Sequence, residues 1–342
     1  MSAPAMVRNA DLATLSTFRL PARAAELVTL DHLDQLEHLP EEAPPTLILG
    51  GGSNTVFLAD WPGRILLNRL RGIRLTNLDN DEVRVEAAAG ENWHALVRYC
   101  IDHGLHGLEN LILIPGSVGA APIQNIGAYG VELSDSLESV NAWDWRERRL
   151  VQLANLDCGL RYRDSRFKSS DQGRFLITSV SLRLSRRFRP NTGYQSLAES
   201  LARHHHGQPA PRQLAAAVMR LRRHRLPDPA RLPNAGSFFK NPVLPAEQAQ
   251  ALLEDFPRLP HWPMAGKHLK LAAGWLLERL GFRGYRIGDA GVYHNHALVL
   301  VNHGQATTAQ LLDLIEHIQS AVQDEYGIDL EAEPTLVGSP PA

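Results

Sequence analysis

Two glycine-dense segments constrain this chain more than any other feature. In the first, TLILGGGSNTVFLAD, the residues Gly50, Gly51 and Gly52 follow a short apolar run and lead into Ser53 and Asn54. Successive glycines let backbone amides converge on an anion, and the Ser53 and Asn54 side chains add donors. The pattern is neither G-x-G-x-x-G nor G-x-x-x-x-G-K. No lysine follows, and Thr55-Val56-Phe57-Leu58 favours strand over helix. Taken alone, a tight hairpin turn accounts for it equally well.

The second segment, residues 114–130 (IPGSVGAAPIQNIGAYG), sets Gly116, Gly119, Gly127 and Gly130 among Ser117, Ala120, Ala121 and Ala128. Small residues let a backbone approach a flat or phosphorylated ligand, and Gln124 and Asn125 supply directional amide contacts. A loop needed only for packing has no use for Gln124-Asn125 in an apolar setting. The pair of loops favours one nucleotide-sized ligand over two independent turns.

The 342 residues allow two or three compact units. With 35 Lys and Arg against 37 Asp and Glu, the net charge of −2 leaves no footprint for nucleic-acid or anionic-membrane binding. No apolar run is long enough to span a bilayer, and the N-terminal residues lack the apolar core of a secretory signal, so a cytoplasmic protein is expected. Cys100 and Cys158 have no metal-ligand spacing and read as buried thiols. No metal site is expected.

A Pro- and Arg-rich stretch over residues 186–233 marks a domain junction. Before it, strands are predicted at 47–49, 64–67, 82–88 and 175–184, and a helix at 93–103. After it, helices are predicted at 213–225, 246–255, 269–279 and 308–326, with an apolar strand at 297–301. The run His204-His205-His206 cannot face one metal from a helix and reads as a solvated turn. The fold class is therefore α+β: a strand-dominated first part and a smaller α/β unit, facing each other across a cleft.

GGGSN at 50–54 together with PGSVGAAPIQNIGAYG at 115–130 resembles flavoproteins of the vanillyl-alcohol-oxidase/PCMH superfamily and, more narrowly, the UDP-N-acetylenolpyruvoylglucosamine reductase family. The similarity continues through YRDSRFK at 162–168, RLPDP at 225–229, NAGSFFKNP at 234–242, KLAAGWLLE at 270–278 and LEAE at 330–333. The resemblance implies a PCMH-type FAD-binding domain over 1–186, with lobes of about 1–68 and 69–186, and a C-terminal α/β substrate domain over 187–342 that includes a Tyr194 loop. It implies FAD held by Gly50, Gly51, Gly52, Ser53, Asn54, Pro115, Gly116, Ser117, Gly119, Ala120, Gln124, Asn125, Gly127 and Ile177. The first loop offers no nucleophile for a covalent link, so the flavin is expected to be non-covalent. NADPH and UDP-N-acetylglucosamine enolpyruvate would use one cleft in turn, in a protein expected to be a monomer.

The resemblance also assigns roles to residues matched motif by motif. Arg163 of YRDS would bind the substrate carboxylate, its fork pairing two oxygens as negative charge builds. Ser237 of NAGSFFKNP would donate the proton to C2. Glu333 of LEAE would assist, protonated or through a water. Tyr194, Arg225, Asn241 and Lys270 would contact the substrate, while Arg283 and His296 receive no role. Two other readings stay open: an oxygen-using aldonolactone or alcohol oxidase of the same flavin fold, and a non-catalytic nucleotide-sugar binder.

Overall fold

The computed structural model describes residues 4–39, 45–204 and 207–338. His205 and His206 of the expected histidine turn lie outside the described residues; His204, in the turn past the helix Gln195–Ala202, has Nδ1 2.9 Å from the Ser200 carbonyl.

By packing, the chain divides into two units. One comprises 1–10, 24–51 and 62–222, the other 11–23, 52–61 and 223–342. The boundary expected after residue 186 is not where the packing divides. Leu197 and Leu201 of the helix Gln195–Ala202, and Leu214, Ala215, Ala217 and Val218 of the helix Pro211–Arg225, share a core with Trp93, Leu96, Val97 and Cys100. Apolar burial therefore draws 187–222 into the first unit. Phe18, Leu20, Val56 and Leu58 are drawn likewise into a core with Phe238, Phe239, Leu276 and Ile318 in the second.

Among the described residues the first unit holds two larger sheets and a hairpin of Gly127–Ala128 and Val131–Glu132. A four-stranded sheet runs in the order Ala5–Asp11, Arg23–Leu30, Trp61–Asn68, Thr46–Leu49. A five-stranded antiparallel sheet runs Arg149–Ala154, Leu137–Asp144, Phe175–Ser185, Glu82–Ala88, Ile73–Asn77. The alternating EVRVEAA segment buries Val83, Val85 and Ala87 against the helix Trp93–Asp102. Asn92 caps that helix by accepting the Ala95 N–H at 2.9 Å. Cys100 and Cys158 are buried, and burial pushes their thiols up to about 12 and about 11, so neither is poised as a nucleophile.

The second unit is built on a four-stranded sheet in the order Asn234–Ser237, Val299–Asn302, Ala290–Val292, Arg286–Ile287. The helix Thr308–Tyr326 buries Leu311, Leu314, Ile315, Ile318 and Val322; Thr307 and Gln310 form a capping box at its start, and Gly327 ends it in the left-handed region. The helix expected over 269–279 is split. His268–Leu271 is the middle strand of a three-stranded sheet, between Val243–Pro245 and His261–Met264, and only Ala273–Arg279 is helical. Extended Ala272 separates the two, because ladder pairing of Lys270 and Leu271 overrides their helical spacing. Finally, Thr335–Val337 pairs in parallel with Thr55–Phe57, the strand that leaves the first glycine loop. Among the described residues no helix is long and apolar enough to cross a membrane.

Candidate functional site

The strand Thr46–Leu49 delivers the chain to Gly50 alongside Leu67 of its parallel neighbour. A Cβ on Gly50 would lie 2.2 Å from Ser117 Oγ, on Gly51 2.8 Å from Gly116 Cα, and on Gly119 2.5 Å from Ala89 Cβ. At Gly50 and Gly51 the first glycine loop thus lies against Ser117 and Gly116 of the second, and side chains there would force the loops apart, while Gly119 lies against Ala89. The second loop is anchored from below. Val118 and Gly119 donate their N–H groups to the Glu91 and Ala89 carbonyls, both at 2.8 Å, and Trp93 N–H donates to the Gly116 carbonyl at 3.1 Å. The glycines at 50, 51, 116 and 119 place no side chain over this main chain, which fits the close approach of an extended dinucleotide carrying a pyrophosphate.

Other expected cofactor residues serve the scaffold visibly. Asn125 is buried in the left-handed region at φ 43°. Its amide donates to Glu132 Oε2 at 2.7 Å and to the Arg161 carbonyl at 3.2 Å, and its Oδ1 accepts the Ser134 N–H at 3.0 Å. It therefore orders the turn that Gln124, half-buried, belongs to. The Ile177 carbonyl accepts from the buried Asn68 amide at 2.9 Å, and Asn68 Oδ1 takes the Leu70 N–H at 3.2 Å. Asn68 carries no motif, and its role is not legible in the sequence.

Arg163 sits on a left-handed backbone (φ 54°) and donates from Nη2 to the Gly127 carbonyl at 3.2 Å. A Cβ at Gly127 would lie 3.0 Å from Glu132 Cγ and 3.2 Å from the Val131 carbonyl oxygen, and in ordinary contact with Arg163 Nη1 at 3.4 Å, so glycine there relieves crowding within the hairpin beside the guanidinium. A second guanidinium, Arg222, reaches this neighbourhood from the helix Pro211–Arg225. Its Nε donates to the carbonyl of Leu113, itself left-handed at φ 62°. Desolvation and the positive charge of Arg163 pull Arg222 below the ordinary guanidinium range, against the opposing influence of Tyr129. The Tyr194 ring meets Tyr129 edge-on at 5.3 Å. Its loop is tied to the same hairpin, since Asn110 donates to the carbonyls of Tyr129 (2.8 Å) and Asn191 (3.0 Å), and Asn191 to that of Gly130 (3.2 Å).

In the second unit the segment carrying Glu333 pairs with the chain that follows Ser237. Gly236, at φ 76°, accompanies a bulge in the strand Asn234–Ser237, which re-aims Ser237 relative to a regular ladder. Glu333 N–H then donates to the Phe238 carbonyl at 2.8 Å, the residue next to Ser237. Asn54, expected on the flavin, has its side-chain amide on the Glu333 carbonyl at 3.3 Å.

Arg225 neighbours His296, which the sequence left without a role. Burial foremost, then the Arg225 charge, push the His296 imidazole down to about 4, with Glu278 and Arg283 also in range. Its Nδ1 accepts the Leu298 N–H at 3.2 Å, which places the ring proton on Nε2. Asn241 Oδ1 accepts the Ala273 N–H at 3.0 Å at the start of the helix Ala273–Arg279, and Lys270 Nζ lies 5.6 Å from the centre of the Trp262 ring.

Residues 25–151 match the model of a family described as an FAD binding domain. Residues 228–337 match that of the C-terminal domain of UDP-N-acetylenolpyruvoylglucosamine reductase. A reductase of that name from Chromobacterium violaceum is 48% identical over 334 residues, covering 96% of this chain and 98% of its own. One from Burkholderia multivorans is 44% identical over 342 residues, covering 98% of each. The crystal structure of the enzyme of that name from Thermus caldophilus is similar with a TM-score of 0.66 at 26% identity, over 98% of this chain and 100% of that one. At that identity and coverage, the chain belongs to the UDP-N-acetylenolpyruvoylglucosamine reductase family.

Proposed function

We propose that this protein reduces the enolpyruvyl group of UDP-N-acetylglucosamine enolpyruvate to UDP-N-acetylmuramate, a peptidoglycan precursor, using NADPH and non-covalently bound FAD. The observation that carries the reading is end-to-end similarity to reductases of that name, and the main-chain hydrogen bond from Glu333 to Phe238, the residue after Ser237, supports it. When bound, FAD supplies a two-electron relay that takes hydride from NADPH and delivers it to C3 of the enolpyruvyl ether.

The remaining chemistry falls to side chains. Hydride addition builds negative charge on C2 and the carboxylate, so the Arg163 fork is assigned to the carboxylate, where preorganised positive charge lowers the barrier most. Ser237 is assigned the proton transfer to C2. A hydroxyl is a weak acid, but an enolate carbon is a strong base, which gives the transfer its driving force. Glu333 is assigned to the same centre, with Tyr194, Arg225, Asn241 and Lys270 binding the nucleotide sugar. A soluble cytoplasmic monomer using one site for NADPH and substrate in turn completes the proposal.

An anaerobic absorbance titration tests it. The yellow protein bleaches with NADPH and recolours with the enolpyruvyl sugar. A protein that stays colourless after FAD is added would overturn the flavoenzyme reading, and one that recolours only in air would be an oxidase.

A further inference from the structure

Glu333 lies where the chain changes partners. Upstream, Ala332 bridges Phe239 in antiparallel fashion, Lys240 N–H donates to the Glu331 carbonyl at 2.9 Å, and Glu333 N–H donates to the Phe238 carbonyl at 2.8 Å. Downstream, Thr335–Val337 pairs in parallel with Thr55–Phe57; Thr335 N–H donates to the Asn54 carbonyl at 2.9 Å and Leu58 N–H to the Val337 carbonyl at 2.7 Å. Between the two ladders stands buried Pro334, which has no N–H to contribute. At this switch the Asn54 side chain donates from Nδ2 to the Glu333 carbonyl at 3.3 Å. Asn54 therefore grips both residues flanking Pro334, Glu333 through its side chain and Thr335 through its main chain.

Resting on the reaction proposed above, we infer that Asn54 is a positioning residue for Glu333, fixing its carboxylate by holding the main chain that carries it. The grip needs a donor at this position. A carboxylate of the same shape would face the Glu333 carbonyl with two acceptors, and an alkyl group would leave that carbonyl without this donor. Because Asn54 also ends the GGGSN motif, the end of that loop and the main chain of the acidic residue are tied to each other.

The test uses full-length, FAD-loaded protein carrying Asn54→Ala, Asn54→Asp, Glu333→Gln, or Asn54→Ala with Glu333→Gln. Reduction by NADPH and reoxidation by UDP-N-acetylglucosamine enolpyruvate are followed separately, and hydrogen exchange of residues 330–338 is measured on the same samples. Displacing a positioned group by an ångström or so costs up to about 10²-fold in rate. Asn54→Ala should accordingly slow reoxidation by about tenfold to 10²-fold, well beyond any slowing of reduction, and deprotect the Glu333 amide. Asn54→Asp should do the same more severely, and serves if the alanine variant does not fold. In the Glu333→Gln background the Asn54→Ala effect on reoxidation should largely disappear, as expected of residues acting as a unit.

Equal slowing of both half-reactions, loss of FAD without deprotection of 330–338, or full additivity with Glu333→Gln would overturn the inference. Should the unsubstituted protein run neither half-reaction, the proposed function fails instead, and unchanged exchange at Glu333 in Asn54→Ala would still refute the grip.

Discussion

Gly52 packs against the Leu15 carbonyl so closely that a Cβ on it would lie 1.7 Å from that oxygen, while its own carbonyl accepts the Thr17 N–H at 3.1 Å. Its φ of 61° is already one that other residues resist. Gly52→Ala therefore meets both a strained backbone and a main-chain clash, at a cost of about 2–4 kcal/mol. Gly173, at φ 76° with open space where its Cβ would go, isolates the conformational part, and Gly173→Ala should cost only about 1 kcal/mol. Thermal denaturation of the two variants should show the larger drop in Tm for Gly52→Ala; equal drops would mean that the loop relaxes away from Leu15.

Ser237→Ala should separate the half-reactions. NADPH should still bleach the flavin at close to the normal rate, because that step requires no proton on the sugar. Reoxidation by the enolpyruvyl substrate should fall by about 10²- to 10⁴-fold, the usual worth of a positioned acid. Stopped-flow absorbance reads both rates, and normal reoxidation would remove Ser237 from the proton path.

How much of this was legible beforehand varied with the physics. Glu82–Ala88 and Thr308–Tyr326 announce themselves because burial on one face imposes period 2 or period 3.6 on their sequences. Leu137–Asp144 does not, since this central strand buries Ser139 and Asp144 and carries a register shift after Asn141. Its polar groups are satisfied by distant residues: Asp144 by Arg174 at 2.7 Å, and Asn141 by Ser179 Oγ at 2.9 Å. At the candidate site, motif order proposes Arg163, Ser237 and Glu333, whereas the settings of Arg222, Asn68 and His296 depend on tertiary neighbours no motif records. Gly50, Gly51 and Gly119 read as ligand-binding positions, and the structure shows that packing alone already requires them to be small, Gly50 and Gly51 against the second loop and Gly119 against Ala89.

His296 should make stability depend on pH in a way a neutral side chain does not. Its imidazole is held at about 4, well below the ordinary 6.5, first by burial and then by Arg225. The unfolded chain thus binds the proton more readily than the folded one. The penalty on folding is absent above about pH 6.5, grows as the pH falls and is complete below about 4, where it reaches about 3 kcal/mol. His296→Gln removes this titration, so the stability difference between the two proteins should shift toward the variant by that amount from pH 7 to pH 4. Denaturant melts at the two pH values measure it, and a constant difference would show that His296 is solvated.

Arg163→Lys keeps the charge and removes the fork. A lysine ammonium cannot both hold the Gly127 carbonyl, now 3.2 Å from Nη2, and present two parallel N–H groups to a carboxylate. Where that pairing strengthens as charge develops, its loss appears in kcat, and removal of one such donor is worth about 10²- to 10³-fold. The variant should therefore bind FAD and accept hydride from NADPH normally, yet reduce the enolpyruvyl sugar more slowly by that factor. Gly127→Ala puts a methyl 3.0 Å from Glu132 Cγ and 3.2 Å from the Val131 carbonyl oxygen, which should shift the Gly127 carbonyl that Arg163 holds and produce a milder form of the same defect. Steady-state kcat and KM for both variants decide the matter: a rise in KM at unchanged kcat would make Arg163 a ground-state binding residue, with no special hold on the developing charge.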